Sequence, residues 1–226
     1  IKCIIIIDNF NKTNVEKHIN KDIFPQTKFT IIKNDENYGI GGSLKIGFDE
    51  IFKYPIEYLS VFHSNLRTDY TILGDEYFTK MTQNKYDLFL TNRFHKFSNF
   101  DKYNSARVFG NIFFNYLFKT FFSKQIIDNG ASLFLVKTKI LKELREEYLK
   151  LTNGSPFNVF LNVLLLNKNI KVIHIDIKWN ESLTKSHLNI VNHSYELLIN
   201  IIKFFFTKKF ISEKKNKFNY SKLFLN

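Results

Sequence analysis

Short apolar runs alternate with polar breaks along this chain at a spacing that fits a layered α/β domain. Ile4-Ile5-Ile6-Ile7 is an unbroken β-branched run ending on Asp8-Asn9, the pattern of a parallel strand buried on both faces. Val15 to Ile23 reads as a short helix and Phe29 to Lys33 as a second strand. Gly39-Ile40-Gly41-Gly42 then opens an amphipathic helix with Leu44, Ile46, Phe48 and Ile51 as its apolar positions. Tyr58 to Phe62 predicts a strand, Thr71 to Met81 a helix, and Tyr86 to Thr91 a strand closed by Asn92-Arg93-Phe94. Strands and helices in this alternation predict a mostly parallel sheet flanked by helices.

The second half is more helical. Arg107 to Lys124 and Ile140 to Leu151 predict helices. Phe157 to Leu166 is strongly apolar, Ile170 to Trp179 predicts a strand, and Ser194 to Phe206 closes the ordered part. From Thr207 onward six lysines stand against one glutamate, so this tail is expected to be frayed or surface-bound. In Arg107 to Lys124 a narrow polar stripe of Arg107, Asn111, Asn115, Lys119 and Ser123 recurs at every fourth residue, and aromatics fill the rest. Ser194 to Phe206 repeats this with Glu196, Asn200 and Lys203. Such helices lie either between protein layers or in a membrane interface.

A chain of 226 residues with 44% hydrophobic residues can build a full core. With eight glycines and three prolines it has little material for a flexible linker, so one principal domain is expected over residues 1–190. An amphipathic helix and basic tail are expected over 191–226. The single cysteine, Cys3, cannot form an intrachain disulfide, which favours a reducing, cytoplasmic setting. No apolar run is long enough for a membrane span. The net charge of +12 suits anionic partners: phosphate groups, an acidic membrane face or nucleic acid.

Candidate chemistry gathers where strands end. Asp8 and Asn9 follow the first strand, where the ligand crevice of an open α/β sheet lies. There Asp8 either accepts from a nucleobase N–H or ribose hydroxyl, or caps a turn. Gly39, Gly41 and Gly42 fit a close backbone approach to a ligand or a tight strand-to-helix turn. His63, Asn65, Arg67 and Asp69 alternate after the third strand and would share one side of an extended segment. His63 and Asp69 are possible metal ligands, Asn65 a feeble one, and the whole cluster is otherwise a polar loop. Arg93, Arg107, Lys137, Lys185 and His187 make up a basic set.

Taken in order, these segments resemble the family 2 glycosyltransferases of the GT-A type, nearest the branch of dolichyl- and polyprenyl-phosphate sugar synthases. Ile4 to Thr13 resembles the family's strand and Asp-Asp-Gly-Ser. Asn37 to Ser43, with Gly47, resembles Asn-x-Gly-x-Gly-x-Ala, and Phe62 to Asp69 falls on the strand and D-x-D-x-Gln stretch. Asp87 to Phe94 resembles Asp-Val-Val-x-Gly-Ser-Arg-Tyr, Asp128 to Leu141 the segment beginning Asp-x-x-Ser-Gly, and Trp179 to Leu188 the Arg-x-x-Gly-Lys-Ser-Lys-Leu clamp. The likeness runs from about Ile4 to Leu188.

The resemblance implies a GT-A fold, a nucleotide-diphosphate sugar donor, and a lipid-phosphate or surface-polysaccharide acceptor met at the inner face of the membrane. It places Asp8, Asn9, Gly39, Gly41, Asn65, Arg93, Lys185 and His187 around the donor, and Asp128 near the acceptor. A divalent cation, Mg²⁺ or Mn²⁺, would lie at His63, Asn65 and Asp69. The family's carboxylates are replaced there by His63 and Asn65, so Arg67 is the residue expected to supply positive charge in the metal's stead. A strand with Pro-x-Tyr-Asn-Glu, which the family carries before Ile4, is absent, and truncation ahead of Ile1 is expected. The rival readings are a catalytically inactive nucleotide-sugar-binding or partner protein and a basic nucleic-acid binder. No RNP-like, zinc or helix-turn-helix signature supports the last, so no nucleic-acid partner is expected.

Overall fold

The computed structural model describes residues 1–11, 14–20, 22, 24–63, 75–83, 85–94, 98, 104–131, 134–177, 179, 189–207 and 217–225. Among the described residues seven strands form two sheets. The first holds β1 (Cys3–Asp8), β2 (Lys28–Asn34) and β7 (Tyr220–Leu225) in the order β1-β2-β7. The second holds β3 (Tyr58–Val61), β4 (Leu88–Asn92), β5 (Phe134–Lys137) and β6 (Val172–Asp176) in the order β3-β5-β4-β6. β1 pairs with β2 and β4 with β6 in parallel, whereas β7 on β2, β3 on β5 and β4 on β5 are antiparallel. The expectation of one mostly parallel sheet is therefore corrected to two mixed sheets. The reason lies in β5, which the sequence reading left unassigned, and in β7, which was expected to be frayed tail.

Helices flank both sheets: α1 (Gly39–Ile51), α2 (Asp75–Gln83), α3 (Ser105–Phe121), α4 (Thr138–Glu143), α5 (Arg145–Leu149), α6 (Phe157–Leu166) and α7 (Ile190–Thr207). Val15–His18 is one 3-10 turn rather than a helix to residue 23, and its Asn14 cap accepts from the Glu16 N–H. The single helix expected over Ile140 to Leu151 divides at Leu144, whose φ of −89° and ψ of 6° interrupt the turn. α6 is apolar except for Asn158 and Asn162, which lie one turn apart, and it is buried almost throughout. Around it the main core joins Phe48 of α1, Val61 of β3, Phe134 and Val136 of β5, Tyr148 of α5 and Leu197 of α7.

Residues 191–207 and 217–225 are built into this body. Leu197 and Ile201 of α7 lie in the main core, and β7 pairs with β2 along its length. Tyr38 fixes the entry to β7: its hydroxyl accepts from the Asn219 N–H at 2.8 Å and donates to the Asn219 carbonyl at 3.1 Å, with its ring edge-on to Phe218. Lys222 of β7 donates to Oε2 of Glu50, a carboxylate 3% exposed on α1, which also pairs with Lys53 at 2.7 Å. Burial alone would push the Glu50 carboxyl up, but hydrogen bonds from Lys222 and Lys53 outweigh it and hold it below the usual range.

Because the folded pKa of Glu50 is depressed, its contribution is full above the ordinary glutamate value of about 4.3 and is lost as the pH falls through the depressed value. Glu50→Gln is expected to cost about 2 kcal/mol in urea unfolding at pH 7. It should also flatten the loss of stability that the parent shows below pH ~4.3. Equal acid sensitivity in parent and variant would remove Glu50 from this role.

Candidate functional site

The end of β1 is tied to the start of α1 by a network of asparagines. Asn9 Oδ1 accepts from Asn34 Nδ2 at 3.0 Å and from the Tyr38 N–H at 3.1 Å, while Asn9 Nδ2 donates to Asn37 Oδ1 at 2.7 Å. The same Asn37 oxygen accepts the Gly39 N–H at 2.9 Å. An aspartate at position 9 would face Asn37 oxygen to oxygen, so the amide is what lets these two turns meet. Asp8 is 5% exposed, and its Oδ1 accepts the Asn11 N–H at 3.0 Å, closing a turn through Phe10 at φ 65°. Its Oδ2 accepts no hydrogen bond among the described residues and is the acceptor left over for a ligand N–H or O–H.

The glycine cluster has a packing reason. Gly39 sits at φ +70°, and a Cβ there would stand 2.4 Å from the Asn153 carbonyl oxygen. At Gly41 a Cβ would come within 2.6 Å of the Thr152 carbonyl oxygen and 2.7 Å of Phe157. The Asn153 carbonyl accepts the Gly41 N–H at 2.8 Å and the Gly42 N–H at 3.3 Å, so these helix-start donors face the 152–157 segment. Next to them lies Lys45, 1% exposed, which the sequence reading missed. Its ammonium donates to the carbonyls of Leu149 (3.0 Å) and Leu151 (2.7 Å) and to Asn153 Oδ1 (2.7 Å). Its position four residues after Gly41 and three before Phe48, on the buried side of α1, was the available signal.

The second cluster forms where β4 ends. The Arg93 backbone N–H and its Nε donate to Asp128 Oδ2 at 2.9 and 2.8 Å, and Nη2 donates to Oδ1 at 2.8 Å. Both residues are 5% exposed. The guanidinium lies 5.2 Å from the Trp179 ring and 5.5 Å from the Phe94 ring. Gly130 admits it, since a Cβ there would stand 2.6 Å from Nη2. From α3, Asn111 Oδ1 reaches Nη2 at 3.5 Å, and Asn115 Oδ1 accepts the Asn129 N–H at 2.9 Å. The Asn129 side-chain amide is buried, with no hydrogen-bond partner among the described residues.

Two members of the polar stripe of α3, Asn111 and Asn115, thus face this cluster. The aromatics Phe109, Phe113, Tyr116 and Phe121 are exposed. α7 is arranged alike. Asn200, a member of its polar stripe, is buried and donates to the Glu196 carbonyl, whereas Tyr195, Ile202, Phe205 and Phe206 are exposed. Phe121 meets Phe205 at 6.0 Å and Phe122 meets Phe204 at 4.8 Å between ring centroids, so the two helices share one aromatic surface. Burial between protein layers does not hold for these exposed rings.

The structure therefore brings Asp8, Asn9, Gly39 and Gly41 into one region and Arg93 and Asp128 into another. No hydrogen bond or ion pair among the described residues joins the two. Lys137 pairs with Asp87 at 2.8 Å at the opposite end of β4 from Arg93 and is not part of its cluster. Asn65, Arg67, Asp69, Lys185 and His187 lie outside the described residues. His63 is described: desolvation pushes its pKa down, which keeps the imidazole neutral as a metal ligand must be. Among the described residues no three acidic, histidine or cysteine side chains gather as a metal site. No helix among the described residues is long and apolar enough to cross a membrane. Neither the protein-family models nor the curated proteins searched provide a match, so the family resemblance stands on its motifs alone.

Lys45→Met leaves two carbonyls and the Asn153 oxygen without their donor and is expected to cost about 3 kcal/mol of unfolding free energy, read from the urea midpoint. A loss below 1 kcal/mol would mean that water takes over the role of the ammonium. For the ion pair, Asp128→Asn strands a buried guanidinium, with an expected cost of about 3 kcal/mol or more, while the paired change Arg93→Met with Asp128→Leu is expected to cost less than that single change. A double variant weaker than the single would assign the pair a role beyond neutralising itself.

Proposed function

We propose that the chain is a glycosyltransferase-like protein of the membrane surface, handling a nucleotide-diphosphate sugar at the ends of its strands and meeting a lipid-phosphate or surface-polysaccharide acceptor. The observation that carries the reading is the aromatic surface of α3 and α7. Asn111, Asn115 and Asn200 of the two helices turn inward while Phe109, Phe113, Tyr116, Phe205 and Phe206 turn out, the reverse of a helix facing water. With a formal charge of +12 and exposed Lys119 and Lys203, this surface has the makeup of a face lying in the headgroup region of an anionic membrane. The Asn111 and Asn115 contacts connect α3 to the Arg93–Asp128 cluster, so an acceptor held at that face would lie close to the loop after β5's partner β4.

Donor contacts follow from the resemblance and from the chemistry of the groups present. Asp8 keeps one carboxylate oxygen for a base N–H or ribose hydroxyl, and Arg93, Arg67, Lys185 and His187 are the basic residues assigned to phosphates. A divalent cation, when bound at His63, Asn65 and Asp69, would neutralise the diphosphate leaving group. One observation favours the second reading, an inactive sugar-nucleotide binder: Arg93 and Asp128 occupy each other through three hydrogen bonds. Neither is then left as a phosphate clamp or a base without a rearrangement of the pair.

Turnover of a UDP- and GDP-sugar panel in the presence of vesicles carrying a polyprenyl phosphate, with Mn²⁺ or with EDTA, tests the proposal. Transfer is expected with at least one donor, and survival in EDTA would assign the metal's role to Arg67. Donor binding without transfer in either condition would establish the inactive reading. In parallel, Phe113→Ser with Phe205→Ser is expected to reduce sedimentation with anionic vesicles at least tenfold, and unchanged sedimentation would sink the membrane assignment.

A further inference from the structure

The four isoleucines of β1 should be among the most buried residues of an α/β sheet, yet Ile4 to Ile7 are all only half-buried. The cause is a cavity of about 1220 Å³ between the two sheets. β1 is the outer strand of one sheet and β3 the outer strand of the other. Both line the cavity, and among the described residues no strand pairs with the free edge of either. The two edges thus face each other across a mostly apolar space, with Asn9, Ser43, Ser60 and His63 among its lining, without bonding to each other.

The lining limits what can fill that space. On one side stand Leu44, Phe48 and Ile51 of α1, which border the main core. On the other stand Phe89 and Leu135, which by strand alternation belong to the opposite face of the second sheet. An occupant must therefore be apolar on both faces. It must also satisfy two rows of backbone N–H and C=O groups, which a hydrocarbon or lipid tail cannot do. One strand in a packed sheet takes up about 4.8 Å between neighbours, about 10 Å between layers and about 3.3 Å per residue, or roughly 160 Å³ per residue. The cavity accordingly holds one strand of about seven or eight residues, slightly longer than β1.

We propose that this cleft is a receptor for one further β-strand, an extended polypeptide segment apolar on both faces, that bonds to β1 and β3 together and joins the two sheets into one. The assignment does not depend on glycosyl transfer. The occupant reads as an unbroken valine- and isoleucine-rich run, because alternating polar residues would be driven into the main core or against Phe89. Addition of the strand converts Ile4 to Ile7 from half-buried to fully buried and leaves neither sheet with an edge at the cleft.

The test is hydrogen exchange on the full chain with a synthetic peptide of alternating valine and isoleucine, as long as the cleft and flanked by lysines for solubility. The amides of Cys3–Asp8 and Tyr58–Val61 that β2 and β5 do not already hold are expected to exchange at least tenfold more slowly when the peptide is added. The same peptide N-methylated at every valine and isoleucine keeps its side chains but loses its donors toward both edges, and should give no protection. Protection by the methylated peptide, or equal protection by a fatty acid, would show a general apolar pocket and overturn the proposal. So would the absence of any slowing with the unmodified peptide.

Discussion

The ammonium of Lys45 is the point on which the arrangement around α1 depends. An apolar helix face has no use for a charge, and an unpartnered one there would cost more than the helix gains by packing. The chain resolves this by wrapping residues 149–153 around the ammonium, so that the end of α5 and the Asn153 side chain supply three acceptors. Once Asn153 is held, its carbonyl is placed to accept from Gly41 and Gly42, and only glycine leaves room for that approach. The start of α1 is thereby fixed from below by Asn153 and from above by Asn9 and Asn37. The buried cation, the 149–153 turn and the glycines that face Asn153 thus form one connected arrangement, to which the Asn9–Asn37 network joins at Gly39.

The same economy governs the other polar groups. Glu50 is buried because two lysines neutralise it, and one of them comes from β7, so the C-terminal strand is held by charge as well as by its ladder. Arg93 and Asp128 are buried because each answers the other, with Trp179 and Phe94 covering the guanidinium faces. Buried ion pairs of this kind add little net stability but penalise any state in which one partner is exposed alone. A ligand phosphate at Arg93 would have to compete with a bidentate carboxylate already in place. The unengaged Asp8 oxygen and the partnerless Asn129 amide are where a ligand would meet less competition.

Much of this was legible from periodicity. The runs Ile4 to Ile7, Phe29 to Lys33 and Tyr86 to Thr91, and the helices opening at Gly39 and near Arg107, lie where apolar spacing puts them, since burial on a fixed side dictates that spacing. β5 was not legible because Phe134 to Lys137 is four residues long and carries no period, and β7 was hidden by the lysines around it. At the candidate site, Asp8, Asn9, Arg93 and Asp128 could be named from strand ends and motif likeness. Their partners could not, because Asn111 and Asp128 reach Arg93 across separations of 18 and 35 residues. The side of α7 that faces the core was open for a related reason: the stripe of Glu196, Asn200 and Lys203 fits either burial or an interface, and only the fold shows Asn200 buried with its amide bonded to its own helix.

Two kinds of incompletely buried apolar surface remain, and their chemistry separates them. Around Ile4 to Ile7 the apolar side chains are accompanied by backbone edges on both sides, so what covers them must carry hydrogen-bonding groups at the repeat of a strand. On α3 and α7 the backbone is already bonded within the helices, and only side chains such as Phe109, Tyr116 and Phe206 are presented. Nothing there demands directional pairing, so a fluid apolar medium with an anionic rim serves as well as a shaped protein partner. The first surface asks for polypeptide and the second does not. On the two proposals made above, both can be filled at once, the cleft by a strand that joins the sheets and the aromatic face by the medium in which an acceptor lipid would lie.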